Sequence, residues 1–139
     1  MSAVQIRVLG IPAPQGSKRA FVRNGRAVLT ESAGDKHKAW RIAVAETCHD
    51  KWGAQQPLDC PLHVIACFYM PRPKSAGKRL WNDKRPDLDK LLRSTLDGLT
   101  DSGMIADDAR ISKITAEKVY TIAGWTGADI TVQTLEVAA

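Results

Sequence analysis

Apolar residues recur along this chain with a period of two in some stretches and near 3.6 in others. Val4, Ile6 and Val8 alternate with Gln5 and Arg7, which predicts a strand that Pro12 and Pro14 end. Gln15 to Lys18 reads as a polar loop. Phe21 to Val28 reads as a tight hairpin, because Asn24-Gly25 suits a type I′ turn. Ser32, with Asp35 three residues on, opens a helix expected to run to Trp52, with Trp40, Val44, Cys48 and Lys51 or Trp52 inward and Gly53 as its stop. Leu62 to Met70 alternates again, with Leu62, Val64, Ala66, Phe68 and Met70 on one side. Ile111 to Ile122 predicts a further strand, in which Lys118 interrupts the apolar row of Ile114, Ala116, Tyr120 and Ile122. Gly124 to Gly127 turns the chain into a last strand, Ile130 to Val137, whose alternation slips after Thr134 as a bulge would.

The strongest helical signal lies between Arg85 and Asp108. Leu88, Leu91, Leu92, Thr95, Leu96 and Leu99 share one helical face, opposite Asp89, Lys90, Arg93, Ser94, Asp97 and Asp101. Asp87 follows Pro86 at the expected N-cap, and Gly103 is placed to end the helix in the left-handed conformation. The predicted order of elements is strand, hairpin, helix, strand, helix, strand, strand. That is an α+β domain, a small mixed sheet packed against two main helices, with residues 1–139 as one unit.

Charge sharpens this picture. The formal net charge is +5. Arg72, Lys74, Lys78, Arg79, Lys84 and Arg85, set against Asp83 alone, supply all of it. Lys18, Arg19, Arg23 and Arg26 form a second basic group with no acid between them. Such clusters attract phosphate backbones by counterion release, and these ten residues are the expected DNA contacts. A solvated basic loop serving solubility is the plainer explanation of charge alone. Trp81, inside the first cluster, is expected to pack on its own domain, with stacking on an unpaired base as the alternative. No run reaches membrane-spanning length, and the N-terminus lacks a basic start followed by an apolar block. Three cysteines, Cys48, Cys60 and Cys67, point to reduced thiols in a cytoplasmic setting. His63 and Cys67 share a strand face and Cys48-His49 lies nearby, but no C-x-x-C or H-x₃₋₅-H spacing supports zinc, so they read as packed residues.

The acids are the candidate chemistry. A helix from Asp89 to Asp101 is roughly 18–20 Å long. After a reversal at Ser102-Gly103, the residues from Met104 to Asp108 span roughly 17 Å when extended. The return leg therefore has the reach to set Asp107 or Asp108 beside Asp87 and Asp89. Gathered carboxylates repel one another unless a cation compensates, and hard divalent ions take oxygen ligands. A capped helix followed by an acidic turn is the bland alternative.

The run R-P-D-L-D-K-L-L-R…L-D-G-L…G-M-I-A-D-D resembles the signature of the RusA family of Holliday-junction resolvases, small dimeric Mg²⁺-dependent endodeoxyribonucleases common in phages and prophages. The family pattern is D-x-D followed by Asn, a Lys four residues after the second Asp, and a later D-D whose second member is catalytic. By position the resemblance implies Asp87, Asp89 and Asp108 as catalytic metal ligands, and Arg93 and Lys118 as basic partners of the reaction. The dense likeness covers Arg85 to Lys118. Lys90 stands at the Asn position and Arg93 at the Lys position, a planar fork in place of a compact charge.

The expected activity is therefore hydrolysis of phosphodiester bonds in four-way DNA junctions, with one or two Mg²⁺ ions per site and Mn²⁺ as a substitute. Paired symmetric cuts ask for two sites related by a two-fold axis, hence a homodimer. Arg93, one turn beyond Asp89, is expected to orient that carboxylate or contact the phosphate, and an Asp89–Arg93–Asp97 ladder along the helix is the plainer alternative, compatible with either. Two other classes stay open: a branched-DNA binder that does not cut, and a metal-dependent phosphohydrolase of small phosphates.

Overall fold

The structure, a computed structural model, describes residues 2–15, 18–23, 26–31 and 34–135, the side chains of residues 18–23, 26–31 and 34 excepted. Its elements in chain order are β1 (Ala3–Leu9), β2 (Lys18–Arg23), β3 (Arg26–Glu31), α1 (Gly34–Trp52), β4 (Leu62–Met70), α2 (Leu88–Ser102), β5 (Ile111–Tyr120) and β6 (Gly127–Thr134). Strands β1, β6, β4 and β5 lie side by side in that order, with β4 and β5 parallel and the other pairs antiparallel. The mixed α+β domain expected from the sequence is thus the one observed. The parallel pair explains α2, since two parallel strands need a crossover between them. No helix among the described residues is long and apolar enough to cross a membrane.

Strands β2 and β3 form a separate antiparallel pair in which Arg23 stands opposite Arg26. This hairpin starts at Lys18, earlier than its hydrophobic pattern indicated. The Asn24-Gly25 turn and the Ser32 cap lie outside the described residues. Strand β6 begins at Gly127 and ends at Thr134, three residues earlier at each end than predicted. The irregularity found is a register shift at Leu62/His63, between β4 and β5. Residues 136–139, where the last predicted strand finished, lie outside the described ones.

Trp40, Val44 and Cys48 of α1 are buried as predicted, as are all five alternate residues of β4 from Leu62 to Met70. Full burial of side chains such as Phe68 or Leu99 stabilises by roughly 1.5–3 kcal/mol each. On β5 the predicted apolar row fails: Ile114 is 43% exposed and Ile122, past the end of the strand, 82%. An edge strand has one neighbour only, and on this one only Val119 and Tyr120 are fully buried.

Helix α2 is turned relative to its predicted face. The fully buried positions are Leu91, Ser94, Thr95, Gly98, Leu99 and Ser102, while Leu88, Leu92 and Leu96 are only half-buried. Small residues decide the contact. A Cβ added to Gly98 would lie 2.8 Å from Val44 Cβ, so α1 and α2 touch there backbone to side chain. Buried hydroxyls are satisfied locally: Thr95 Oγ1 donates to the Leu91 carbonyl at 2.8 Å and accepts the Trp40 indole N–H at 3.0 Å. Gly103 ends α2 at φ 82°, the left-handed stop expected of it.

Candidate active site

Two tethers fix the head of α2. Ser94 Oγ donates to the Ala13 carbonyl at 2.6 Å, and the Gln15 N–H donates to the Lys90 carbonyl at 3.0 Å. The Pro12–Pro14 segment is thereby held against the first turns of α2, and the β2–β3 hairpin with its four basic residues departs from that place. The side chains of Lys18, Arg19, Arg23 and Arg26 lie outside the described residues.

Asp87 occupies the N-cap with φ −67° and ψ 138°, yet its side chain makes no capping hydrogen bond. An aspartate here ordinarily accepts from the second or third helical N–H. Its carboxylate instead stays exposed, 3.8 Å from Lys90 Nζ. Asp89 is exposed two residues on. Both carboxylates are thus available to a ligand at the positive end of the helix dipole.

Asp108 sits differently. Met104 and Ile105 are drawn into the core, and the Leu58 and Ala106 N–H groups tie this leg to the 54–61 connection at 2.8 and 2.9 Å. The return leg is therefore packed along its first half, with Asp107 and Asp108 following at the surface. The Asp108 carboxyl is pushed above its ordinary value, first by its hydrogen bond with Asp107, then by desolvation and by the negative charges of Asp107 and Asp97. Among the described residues no three or more His, Cys, Asp or Glu side chains gather closely enough to hold a metal ion. A single chain thus presents Asp87 with Asp89, and Asp107 with Asp108, as two acidic pairs.

The basic residues divide in the same way. Arg93 is exposed beyond Asp89, and the predicted Asp89–Arg93–Asp97 ladder is not formed. Asp97 and Asp101 face Arg41 of α1 instead, at 3.7 and 2.6 Å. Neighbouring helices, not neighbouring turns, take these acids. Lys118 is half-buried, and its ammonium donates to the carbonyls of Lys84 and of Pro86, the latter at 2.6 Å. Neither bond is legible from the strand pattern, in which this lysine only interrupts an apolar row.

In the 71–86 loop, Lys74, Lys78, Lys84 and Arg85 are exposed, and Arg79 lies 3.6 Å from Asp83. Arg72 holds the loop together. It donates to the carbonyls of Thr121, Gly77 and Arg79 at 2.8–3.0 Å and lies over the Tyr120 ring. Trp81 is 60% exposed, contrary to its expected packing, because the Leu80–Asn82 backbone runs along the free edge of β5 and turns the indole outward. Asn82, which no sequence pattern singles out, is buried and accepts the Lys84 N–H at 2.9 Å.

Between the Pro12–Pro14 segment, α1 and the end of the basic loop runs a groove of about 1090 Å³, bordered by Asp87. A protein of Bacillus subtilis (strain 168) described as "Uncharacterized protein YqaN" is similar to this chain, 23% identical over 132 residues, or 87% of this chain and 90% of that protein. Residues 11–133 match the family model for endodeoxyribonuclease RusA. That stretch holds the groove's lining except Gly10, both acidic pairs and both basic segments, and the chain belongs to the RusA endodeoxyribonuclease family.

Proposed function

We propose that this protein is a divalent-metal-dependent endonuclease that resolves four-way DNA junctions by paired, symmetric nicks and works as a homodimer. The observation that carries the reading is the pair of exposed carboxylates, Asp87 and Asp89, at the head of α2 in a chain of the RusA family, bordered by Lys84, Arg85 and Lys90. Cations there draw the phosphate backbone toward the acids, and repeated phosphate contacts give the steep salt dependence of DNA binding.

The donor set fits a hard cation, being all oxygen, and Mg²⁺ commonly needs one or two carboxylates beside waters and phosphate. Asp87 and Asp89 would hold it, with Asp108 as the third ligand that the family pattern implies and Mn²⁺ as a substitute ion. Such an ion would lower the pKa of a bound water and offset charge on the scissile phosphate. The chain's own residues then do the positioning. Lys118 fixes the backbone at Lys84 and Pro86, hence where Asp87 stands, and the exposed Arg93 is free to meet a phosphate oxygen. Two cuts placed symmetrically across a junction require two such sites about a two-fold axis.

One observation favours a competing reading, a branched-DNA binder that does not cut: among the described residues no three His, Cys, Asp or Glu side chains gather closely enough to hold a metal ion. A synthetic four-way junction and a matched linear duplex, each incubated with Mg²⁺ or with chelator, separate the two. Symmetric nicks in the junction alone, only with metal and lost in Asp89→Asn, are expected. Metal-independent binding without nicks would establish the binder, and equal cutting of linear duplex would make the protein a general nuclease.

A further inference from the structure

The groove beside Asp87 has a lining that the cleavage chemistry does not use. Five prolines, Pro12, Pro14, Pro71, Pro73 and Pro86, contribute to it, so its walls are flat, apolar and short of backbone N–H donors. Tyr120 also lines it. That side chain is 3% exposed, and its hydroxyl has no hydrogen-bond partner among the described residues. Burying a hydroxyl unpaired is costly, and such a group marks a place where a bound molecule completes the set. Cations Lys36, Lys84, Arg85 and Lys90 stand in the same lining, with Asp87 as the acid among them.

We propose that this groove receives one unstacked nucleobase of the DNA strand whose phosphate lies at Asp87. The inference rests on the DNA-cleaving function proposed above and adds a base-binding subsite to it. A nucleobase matches the walls: it is a flat ring with apolar faces and polar edges, and the Tyr120 hydroxyl meets an edge while the prolines flank a face. The rim cations take the phosphates on either side of that nucleotide. Small-molecule clefts measure roughly 300–1,000 Å³, so about 1090 Å³ admits a whole nucleotide. Bases within a continuous duplex are stacked out of reach, whereas a branch point supplies one that swings out at low cost.

The test uses the full chain with chelator present, so that cutting plays no part. The probe is a short single-stranded oligonucleotide carrying one 2-aminopurine, compared with the same strand made abasic at that position. Wild type is expected to change the 2-aminopurine fluorescence saturably and to bind the abasic strand about tenfold more weakly, the order of one stacked base. Tyr120→Phe should weaken binding of the base-bearing strand about fivefold and leave the abasic strand unaffected, as loss of one hydrogen bond would. Its thermal midpoint should not fall, because that hydroxyl has no hydrogen-bond partner among the described residues. Ala39→Phe, at an exposed position in the lining, should fill the groove and abolish the fluorescence change while abasic binding persists. Equal wild-type affinity for both strands, or an Ala39→Phe protein that folds and still reports the base, would overturn the subsite. Junction cutting in Mg²⁺ without base-dependent binding removes the subsite alone. Base-dependent binding without cutting removes the nuclease reading alone.

Discussion

The Lys118 ammonium on β5 donates to the Pro86 carbonyl at 2.6 Å, one residue before Asp87. A second bond to the Lys84 carbonyl makes this lysine the clasp between the edge strand and the end of the basic loop. Hydrogen bonds from a charged donor contribute roughly 1.5–3 kcal/mol, and burying the stem with no charge to place offsets part of the loss. Lys118→Met should therefore lower stability by about 1–3 kcal/mol in a denaturant titration. Junction cutting should fall with it, while binding through the exposed cations persists. A lysine acting only on phosphate would leave the denaturation midpoint where it was.

Close approach of α1 and α2 depends on Gly98. Replacing glycine by alanine inside a helix ordinarily stabilises by about 1 kcal/mol. Here the new Cβ would meet Val44 Cβ and Cγ1 at 2.8 Å and the Arg41 carbonyl at 3.0 Å, none of them at the end of a flexible chain. Overpacking of this kind costs roughly 1–3 kcal/mol and outweighs the gain in propensity. Gly98→Ala should destabilise, and Val44→Ala in the same chain should recover part of the loss, as measured by a double-mutant cycle.

The same helix shows how far a sequence alone can be followed. Period and punctuation placed α2 and its stop at Gly103, because a leucine stripe and a left-handed glycine are local signals. Its orientation was not local. Ser94, Gly98 and Ser102 carry little hydrophobicity, yet their small size lets α1 approach, so they are buried in place of Leu92 and Leu96. The leg before Asp108 follows the same rule. Chain length bounds its reach, but the burial of Met104 and Ile105 in the core is a tertiary event that no local pattern announces. Lys118 and Arg72 looked like phosphate contacts because charge reads directly from a sequence, whereas the carbonyls they hold belong to backbone far along the chain.

Basic residues of the 71–86 loop should consequently separate into two groups. Lys78 is exposed, and each phosphate contact contributes about 0.9 to the slope of log affinity against log salt on duplex DNA. Lys78→Gln should reduce that slope by about this amount and leave thermal stability unaltered. Arg72→Gln removes a guanidinium that donates to three backbone carbonyls, so it should unfold about 1–3 kcal/mol more easily. A fluorescence anisotropy series in rising salt, run beside thermal melts, distinguishes them. Lowered stability in Lys78→Gln, or its absence in Arg72→Gln, would mean that the loop is held by other contacts.

Alkaline pH should expose the state of Cys48. Its thiol lies in the core one helical turn beyond Val44, with no exposed surface, and burial pushes its pKa from the ordinary 9.0 up to about 12. Desolvation disfavours the thiolate, so the folded chain holds the proton more tightly than the unfolded chain does. The sign follows: the contribution is complete below pH 9, shrinks as pH rises, and is gone above about 12. Cys67, raised to about 11 mainly by desolvation, adds a smaller loss in the same direction. Urea midpoints between pH 8 and 10.5 should therefore decline for the wild type. Cys48→Ala should be less stable at pH 8 through its cavity but decline less steeply. At pH 9 iodoacetamide should reach Cys48 only as fast as the chain opens, so alkylation should track urea-induced unfolding. Rapid modification of the folded protein at Cys48, or parallel pH profiles for the two chains, would show that this thiol is not sealed in the core.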